Sequence, residues 1–206
     1  MQESLRMVFV STDMKISKCR LSIFFRGDCC KLVLDSHKQF IVESSNYSSA
    51  MEELLIQLPK NTSITMEHEV VLVQNDSRVI IQLAETVELE YIPRYDSKVV
   101  KFTLCHQRGG KQQVCVSSYE DFGIVLGMLD NELFGKFEIC AYCSKGDFKS
   151  DGGEDLRHGW YCFRKVDNID MDKSWYERLD EFDQAIPNMS VFYWCPKFTY
   201  KNKKFI

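Results

Sequence analysis

The sequence lacks any apolar run that approaches the roughly 20 residues needed to span a bilayer. Its apolar patch near the start, Met7–Val10, has only four residues. That patch is shorter than the apolar core of a secretory signal peptide. We therefore expect a cytoplasmic protein that has no membrane-embedded segment.

The chain also lacks an excess of positive charge. It has 26 Lys and Arg residues against 30 Asp and Glu residues, which gives a net charge of −4. Proteins that bind nucleic acid usually present a basic face that displaces counterions from the phosphates. The one basic cluster is a short C-terminal run of lysines: Lys197, Lys201, Lys203 and Lys204. We expect no nucleic-acid partner.

Common catalytic motifs are missing as well. The sequence contains no phosphate-binding loop, no dinucleotide fingerprint and no serine nucleophile elbow. Cys105 and His106 are neighbours, but the members of a catalytic Cys–His pair meet in space rather than in sequence. These absences favour a non-enzymatic role.

Cysteine is abundant, and four of the nine cysteines suggest a site. Cys140 and Cys143 form a CxxC pair, and Cys162 and Cys195 follow in aromatic segments. Two intervening residues allow a tight turn that points both sulfurs at one centre, and four thiolates satisfy tetrahedral zinc. The sequence predicts a structural zinc site, and the alternatives are unmetallated packed thiols, a redox pair or another metal.

The other five cysteines have no such spacing. An odd total argues against a complete disulfide framework, and a reducing compartment favours thiols or metal ligands over disulfides. Cys29 and Cys30 are adjacent, so they cannot easily chelate one metal, and we interpret them as structural.

Acidic side chains crowd the loop that the cysteines bracket. Asp147, Asp151, Glu154 and Asp155 lie there, with His158 beside them. Carboxylates and an imidazole can hold a hard metal or act in acid–base hydrolysis. The alternative is a solvated loop whose charges also pair with Arg157 and Lys149. His158 is the reserve zinc ligand if one cysteine points away.

The hydrophobic patterning predicts an α+β fold with mainly antiparallel sheets, about three helices and a zinc-ribbon-like C-terminal element. Strand-like runs come in consecutive groups with short connections. Residues 1–18 have little pattern. Polar residues after Pro93 predict a boundary between a β-rich half, 1–95, with one helix, and an α+β half, 96–206, that carries the cysteines.

Leucine stripes predict the first two helices. Met51, Leu54, Leu55 and Leu58 repeat at helical spacing, and Ser49 and Glu52 have the spacing of a capping box. Phe122 to Leu129 repeats the stripe, with Ser118 at the predicted start. A third helix is predicted from Asp172 to about Gln184. The segments 39–66 and 113–139 share a strand–helix–strand order, which raises the hypothesis of an internal repeat.

The motifs of the second half resemble those of a family of uncharacterised bacterial proteins. They are Cys140-x-x-Cys143, Gly146-Asp-Phe148, Gly152-Gly-Glu-Asp155, Cys162-Phe-Arg164 and Cys195-x-x-Phe198. The resemblance covers about residues 137 to 198. It implies that the four cysteines act as one unit and implies nothing about a substrate.

Two functions follow as predictions. The first is a non-enzymatic intracellular module that binds a protein partner and contains structural zinc on Cys140, Cys143, Cys162 and Cys195. The alternative is a metal-dependent hydrolase that uses the acidic loop 147–158.

Overall fold

The computed structural model describes residues 2–12, 15–26, 29–108, 111–119, 122–148 and 158–201. Its strands are β1 (Gln2–Thr12), β2 (Lys15–Arg26), β3 (Cys29–Asp35), β4 (Gln39–Ser44), β5 (Ser63–Gln74), β6 (Ser77–Ile92), β7 (Ser97–Arg108), β8 (Lys111–Ser118), β9 (Lys136–Phe137), β10 (Gly146–Asp147), β11 (His158–Cys162) and β12 (Ile186–Ser190). Its α-helices are α1 (Tyr47–Gln57), α2 (Phe122–Leu133) and α3 (Leu179–Phe182), and 3₁₀ turns form at Pro93–Tyr95, Cys140–Tyr142 and Trp175–Glu177.

Eight long strands form one antiparallel sheet in the order β4-β3-β2-β1-β5-β6-β7-β8, and β9 adds to β5. The prediction of a mainly antiparallel α+β fold is confirmed. Strands β6 and β7 pair along their length on either side of the 3₁₀ turn at Pro93–Tyr95. The sheet therefore runs through the predicted boundary at residue 95, and the division into two domains stays a prediction.

The order of elements is the same in both halves of the sheet. Strands β1 to β4 form a meander, α1 follows, and β5 returns antiparallel to β1 with Val8 opposite Met66. Strands β5 to β8 form the second meander, α2 follows, and β9 returns antiparallel to β5 with Leu72 opposite Phe137. The segments that raised the hypothesis of a repeat, 39–66 and 113–139, are the equivalent β4-α1-β5 and β8-α2-β9 units.

One face of the sheet carries the core, because alternate residues of a strand point to opposite faces. Leu21, Leu32, Ile64 and Leu83 from four strands are fully buried with both long helices in one cluster. The opposite face is mixed, with exposed apolar side chains such as Ile41 and Ile80 beside polar pairs. There the hydroxyls of Thr65 and Thr86 lie 2.9 Å apart on neighbouring strands, and Lys101 Nζ lies 2.8 Å from Glu90 Oε2.

The helix α1 begins earlier than the predicted capping box. Its N-cap is Asn46, whose Oδ1 accepts a hydrogen bond from the Ser49 N–H at 2.9 Å. Ser49 is therefore inside the helix, and the predicted pairing of Ser49 with Glu52 as a cap is wrong. The buried Tyr47 and Ala50 extend the apolar stripe toward the N-terminus. The predicted stripe began only at Met51.

Three other local predictions are wrong. Ser118 ends β8 instead of starting α2, and Asp121 lies outside the described residues. The segment before residue 13 is strand β1, in which Val8 and Val10 face the core. The predicted helix 172–184 is a 3₁₀ turn followed by the four-residue α3, because the backbone leaves helical geometry at Arg178 (φ −122°, ψ 24°).

Cys105 and Cys115 form a disulfide between β7 and β8. The two residues are direct partners in the antiparallel ladder, where facing Cβ atoms lie close enough to bridge. The other seven cysteines are free, which agrees with the prediction of mostly reduced thiols. Since Cys105 is bonded, it is not available here as a nucleophile beside His106. No helix among the described residues is long and apolar enough to cross a membrane.

The leucine stripe of α1 provides a stability prediction. The Leu54 side chain on α1 is fully buried, whereas the Ile56 side chain on the same helix is 63% exposed. We expect Leu54→Ala to lower the free energy of unfolding by about 2–5 kcal/mol, because it removes buried methyl groups and leaves a cavity. Ile56→Ala is the matched control and should change it by less than about 0.5 kcal/mol. Urea unfolding monitored by circular dichroism measures both, and equal effects would contradict the packing of α1.

Candidate metal centre

The first two cysteines lie on a tight turn that leads into β10. The Cys143 N–H donates to the Cys140 carbonyl at 3.1 Å, and the Gly146 N–H donates to the Cys143 carbonyl at 2.9 Å. A Cβ atom at Gly146 would lie 2.5 Å from the Cys140 carbonyl oxygen. Only glycine allows this approach of the backbone, so the sequence C-x-x-C-x-x-G specifies the turn.

The other two cysteines reach the same region from different elements. Cys162 is the last residue of β11 and lies opposite Gly146 in the ladder with β10. Cys195 begins a second turn, in which the Phe198 N–H donates to its carbonyl at 2.9 Å. The Lys197 N–H lies 3.4 Å from the Cys195 sulfur.

The four thiols lie in one buried neighbourhood. Cys140 is 4% exposed, and Cys143, Cys162 and Cys195 are each 7% exposed. Burial is the main cause that raises the pKa of the Cys140 thiol to about 12, and the charges of Cys143, Cys162 and Cys195 contribute to the same rise. Cys140 is anchored from the Cys195 segment, since its N–H donates to the Tyr193 carbonyl at 3.0 Å. Backbone contacts therefore place the three cysteine-bearing segments next to one another.

A guanidinium group lies beside the cysteines. Arg164 Nη1 is 3.2 Å from the Cys195 sulfur. The hydrogen bond to Cys195, followed by the charges of Cys162 and Cys195, raises the pKa of Arg164, while Arg164 lowers that of Cys140. A cation at this position favours thiolates over thiols. Four thiolates on a divalent zinc carry a net charge of −2, which Arg164 partly offsets.

The residues fit zinc in donor type, burial and electrostatic surroundings. Soft thiolates select zinc over calcium or magnesium. Among the described residues, no group of three or more Cys, His, Asp or Glu side chains has the arrangement of a metal site. The four thiols are therefore not arranged in the geometry that coordinates a metal. Metal binding would release their protons and draw the sulfurs together.

The acidic loop is described only at its two ends. Asp151, Glu154 and Asp155 lie outside the described residues, as does the side chain of the reserve ligand His158. Asp147 is described, and its Oδ2 forms an ion pair with Nη2 of Arg178. Its Oδ1 also accepts the Phe148 N–H at 3.0 Å. Asp147 is therefore fixed by structural contacts, with Arg178 as its partner.

Arg178 anchors a second, smaller core behind the cysteines. It is 1% exposed, its Nε donates to the Lys173 carbonyl at 3.0 Å, and its guanidinium lies 5.3 Å from the centre of the Phe163 ring. Phe163 and Phe182 pack edge to face at 4.8 Å. A buried charge needs such partners, so Asp147 and Arg178 join the acidic-loop end of β10 to the region around α3.

A buried pair on the sheet was not found by sequence reasoning. His68 Nε2 lies 2.8 Å from Glu85 Oε2, and both side chains are 6% exposed. The His68 ring stacks on Phe192 at 4.0 Å, which joins the sheet to the segment before Cys195. Alternation was the available signal, because His68 and Glu85 occupy inward-facing positions among buried residues of β5 and β6.

Comparisons with protein-family models, with curated proteins and with solved structures found no match to this chain.

Proposed function

We propose that this chain is a non-enzymatic, cytoplasmic protein-interaction module with structural zinc on Cys140, Cys143, Cys162 and Cys195. The proposal is carried by the backbone contacts that join the three cysteine segments. Cys162 lies opposite Gly146, which ends the turn of Cys140 and Cys143, and the Cys140 N–H donates to the Tyr193 carbonyl at 3.0 Å. The zinc would fasten a zinc-ribbon-like C-terminal element to the large sheet. The resemblance to an uncharacterised bacterial family belongs to the same proposal.

The donor set supports a structural role for the metal. Four cysteine sulfurs complete the tetrahedral coordination of zinc, whereas catalytic zinc sites keep a position open for water or substrate. The Trp160 ring beside this region is 1% exposed and belongs to the main core. A metal at this place would stabilise the contact between the C-terminal element and the sheet.

The charge distribution supports a protein partner over nucleic acid. The net charge is −4, and Lys101 on the outer face of the sheet pairs with Glu90 at 2.8 Å. Nucleic-acid binding would require a basic face. A mixed surface of this kind is usual for protein–protein contacts, whose rims are polar.

The alternative is a metal-dependent hydrolase. Replacing the carboxylates of the acidic loop tests it. We expect zinc-loaded protein to show no turnover of generic phosphate and ester substrates above the buffer background. The control is the Asp151→Ala, Glu154→Ala, Asp155→Ala triple variant, which should give the same background. Turnover by the wild type that disappears in the triple variant would replace this proposal with the hydrolase.

A further inference from the structure

A cleft of about 1130 Å³ lies between α2, the turn that joins β5 to β6, and the chain around the first cysteines. It is slightly larger than the roughly 300–1,000 Å³ that is typical of small-molecule pockets. Six of its lining residues combine acidic, basic and aromatic character: Asp130, Phe134, Lys136, Tyr142, Tyr200 and Lys201.

Asp130 provides a buried acceptor in this cleft. Its Oδ1 atom is buried and has no hydrogen-bond partner among the described residues. Burial raises the pKa of the carboxyl to about 6, while a hydrogen bond from Tyr142 and the charge of Lys136 lower it in part. A buried carboxylate oxygen without a partner is unfavourable. It therefore favours a ligand that brings a positively charged N–H donor.

Phe134 is the second unusual residue of the cleft. The Gly135 N–H donates to the Asp130 carbonyl at 3.3 Å, and the Phe134 N–H donates to the Asn131 carbonyl at 3.4 Å. These two bonds are those of a Schellman motif at the end of α2, whose left-handed position is normally glycine. Here Phe134 occupies that position with φ 48°.

The Phe134 side chain gains little from folding. It is 89% exposed, so burial does not compensate for the left-handed backbone of a bulky residue. Unfavourable backbone conformations that bring no stabilising contact concentrate at ligand sites. An exposed aromatic ring beside a carboxylate with one unpartnered oxygen provides an apolar surface and a charge for one ligand group.

We propose that this cleft binds a lysine side chain of a peptide segment in a partner protein. The ammonium would donate to Asp130 Oδ1, and the aliphatic stem would lie on Phe134. Since Tyr142 already bonds to the carboxyl, one free oxygen remains. That arrangement suits the compact ammonium better than the two-pronged guanidinium of arginine.

The surrounding charges specify the rest of the peptide. Lys136 is exposed and Lys201 is partly exposed at the same cleft. Their ammonium groups favour acidic residues on either side of the incoming lysine. Among the described lining residues, Asp76 is the other acidic one. This inference rests on the proposed interaction function, because it names the chemistry of the partner.

The test uses a nine-residue peptide with one central lysine flanked by glutamates, and an otherwise identical peptide with norleucine in place of lysine. Norleucine keeps the aliphatic stem and removes the ammonium. Isothermal titration calorimetry on zinc-loaded protein should show the lysine peptide binding at least about tenfold more tightly, which corresponds to the loss of one charge-assisted hydrogen bond. Equal affinities, or no binding of either peptide, would overturn the proposal.

Two variants locate the binding in the cleft. Asp130→Asn and Phe134→Gly should each weaken binding of the lysine peptide at least about tenfold. Glu52→Gln on the exposed side of α1 and Tyr176→Ala, whose ring is 63% exposed, are the controls and should leave the affinity unchanged. An unchanged affinity in Asp130→Asn would overturn the proposal.

Phe134→Gly has a further readout that excludes simple unfolding. Glycine suits the left-handed position, so this variant should melt at a higher temperature than wild type while it loses affinity. Binding by wild type should also strengthen as the pH rises through about 6, because Asp130 must be ionised, and Asp130→Asn should not show this step. If the affinity of wild type for the peptide does not change as the pH rises through about 6, the role of Asp130 is contradicted.

The same preparation separates this inference from the proposed function. Zinc content and turnover are measured before each titration. Loss of peptide binding in a zinc-containing, inactive protein overturns the lysine cleft alone. Peptide binding that meets all the criteria in a protein without zinc overturns the structural metal and supports the cleft.

Discussion

Cys143→Ser is expected to unfold the C-terminal element while the large sheet stays folded. A structural zinc contributes on the order of 10–16 kcal/mol, and whole domains are stable by only about 5–15 kcal/mol. Loss of one of four sulfur ligands should therefore decide whether this element folds. Hydrogen exchange should show that the amides of Gly146 and Phe163 lose protection. These N–H groups donate to the carbonyls of Cys143 and Lys145, respectively. Amides of β2 and β3 should keep their protection.

Cys19→Ser is the matched control for this prediction. Cys19 is 4% exposed and free, like Cys140, but it lies in β2 and its thiol points to the Ser17 carbonyl at 3.7 Å. Serine at residue 19 should lower stability in the sheet without loosening the C-terminal element. A chelator should reproduce the Cys143→Ser pattern in wild type. If both variants lose protection in the same regions, the cysteines do not share a metal.

Asp147→Ala is expected to lower the free energy of unfolding by about 3–5 kcal/mol, because it leaves the 1%-exposed Arg178 without its carboxylate. Adding Arg178→Met should recover part of that loss, since an apolar side chain of similar length removes the unpaired charge. Urea unfolding of the two single variants and the double variant measures the coupling.

A surface ion pair provides the control for this second prediction. The Lys101 and Glu90 side chains are 25% and 42% exposed, and their charged groups lie 2.8 Å apart. Glu90→Ala should cost less than about 1 kcal/mol, because water screens an exposed pair. If Asp147→Ala costs no more than Glu90→Ala while reducing some enzymatic turnover, Asp147 has a chemical role rather than a structural one.

The sheet and the two long helices could be predicted because their signals are local and periodic. The apolar stripes that contain Leu54 in α1 and Leu126 in α2 both repeat at helical spacing. The two residues are buried, with 0% and 1% exposure. The turn between β5 and β6 follows from Asn75 and Asp76, which both adopt positive φ, as the shortest hairpins require. The start of α1 was missed because Asn46 caps it from outside the leucine stripe.

The cysteine cluster could be anticipated in part. The C-x-x-C-x-x-G run specifies its turn through residues that are close in sequence, and the structure places Cys162 opposite Gly146. The arrival of Cys195 depends on long-range contacts, such as the hydrogen bond from the Cys140 N–H to the Tyr193 carbonyl. No periodicity in a single sequence encodes such a contact.

Other features could not be predicted, because they depend on which strands become neighbours. The disulfide between Cys105 and Cys115 requires the register of β7 and β8, and the sequence favoured thiols. Asp130 looks like an ordinary polar residue of a helix until the turn between β5 and β6 and the cysteine segment enclose it. The left-handed backbone of Phe134 is visible only in the structure.

The measurement that tests the central claim most directly is the molar ratio of zinc to protein in freshly prepared, reduced protein, determined by plasma mass spectrometry. The account predicts one zinc per chain, retained in Cys19→Ser and lost in Cys143→Ser, Cys162→Ser and Cys195→Ser. A folded wild-type chain without stoichiometric metal, or a zinc content that survives the loss of Cys143, would contradict a shared site on Cys140, Cys143, Cys162 and Cys195.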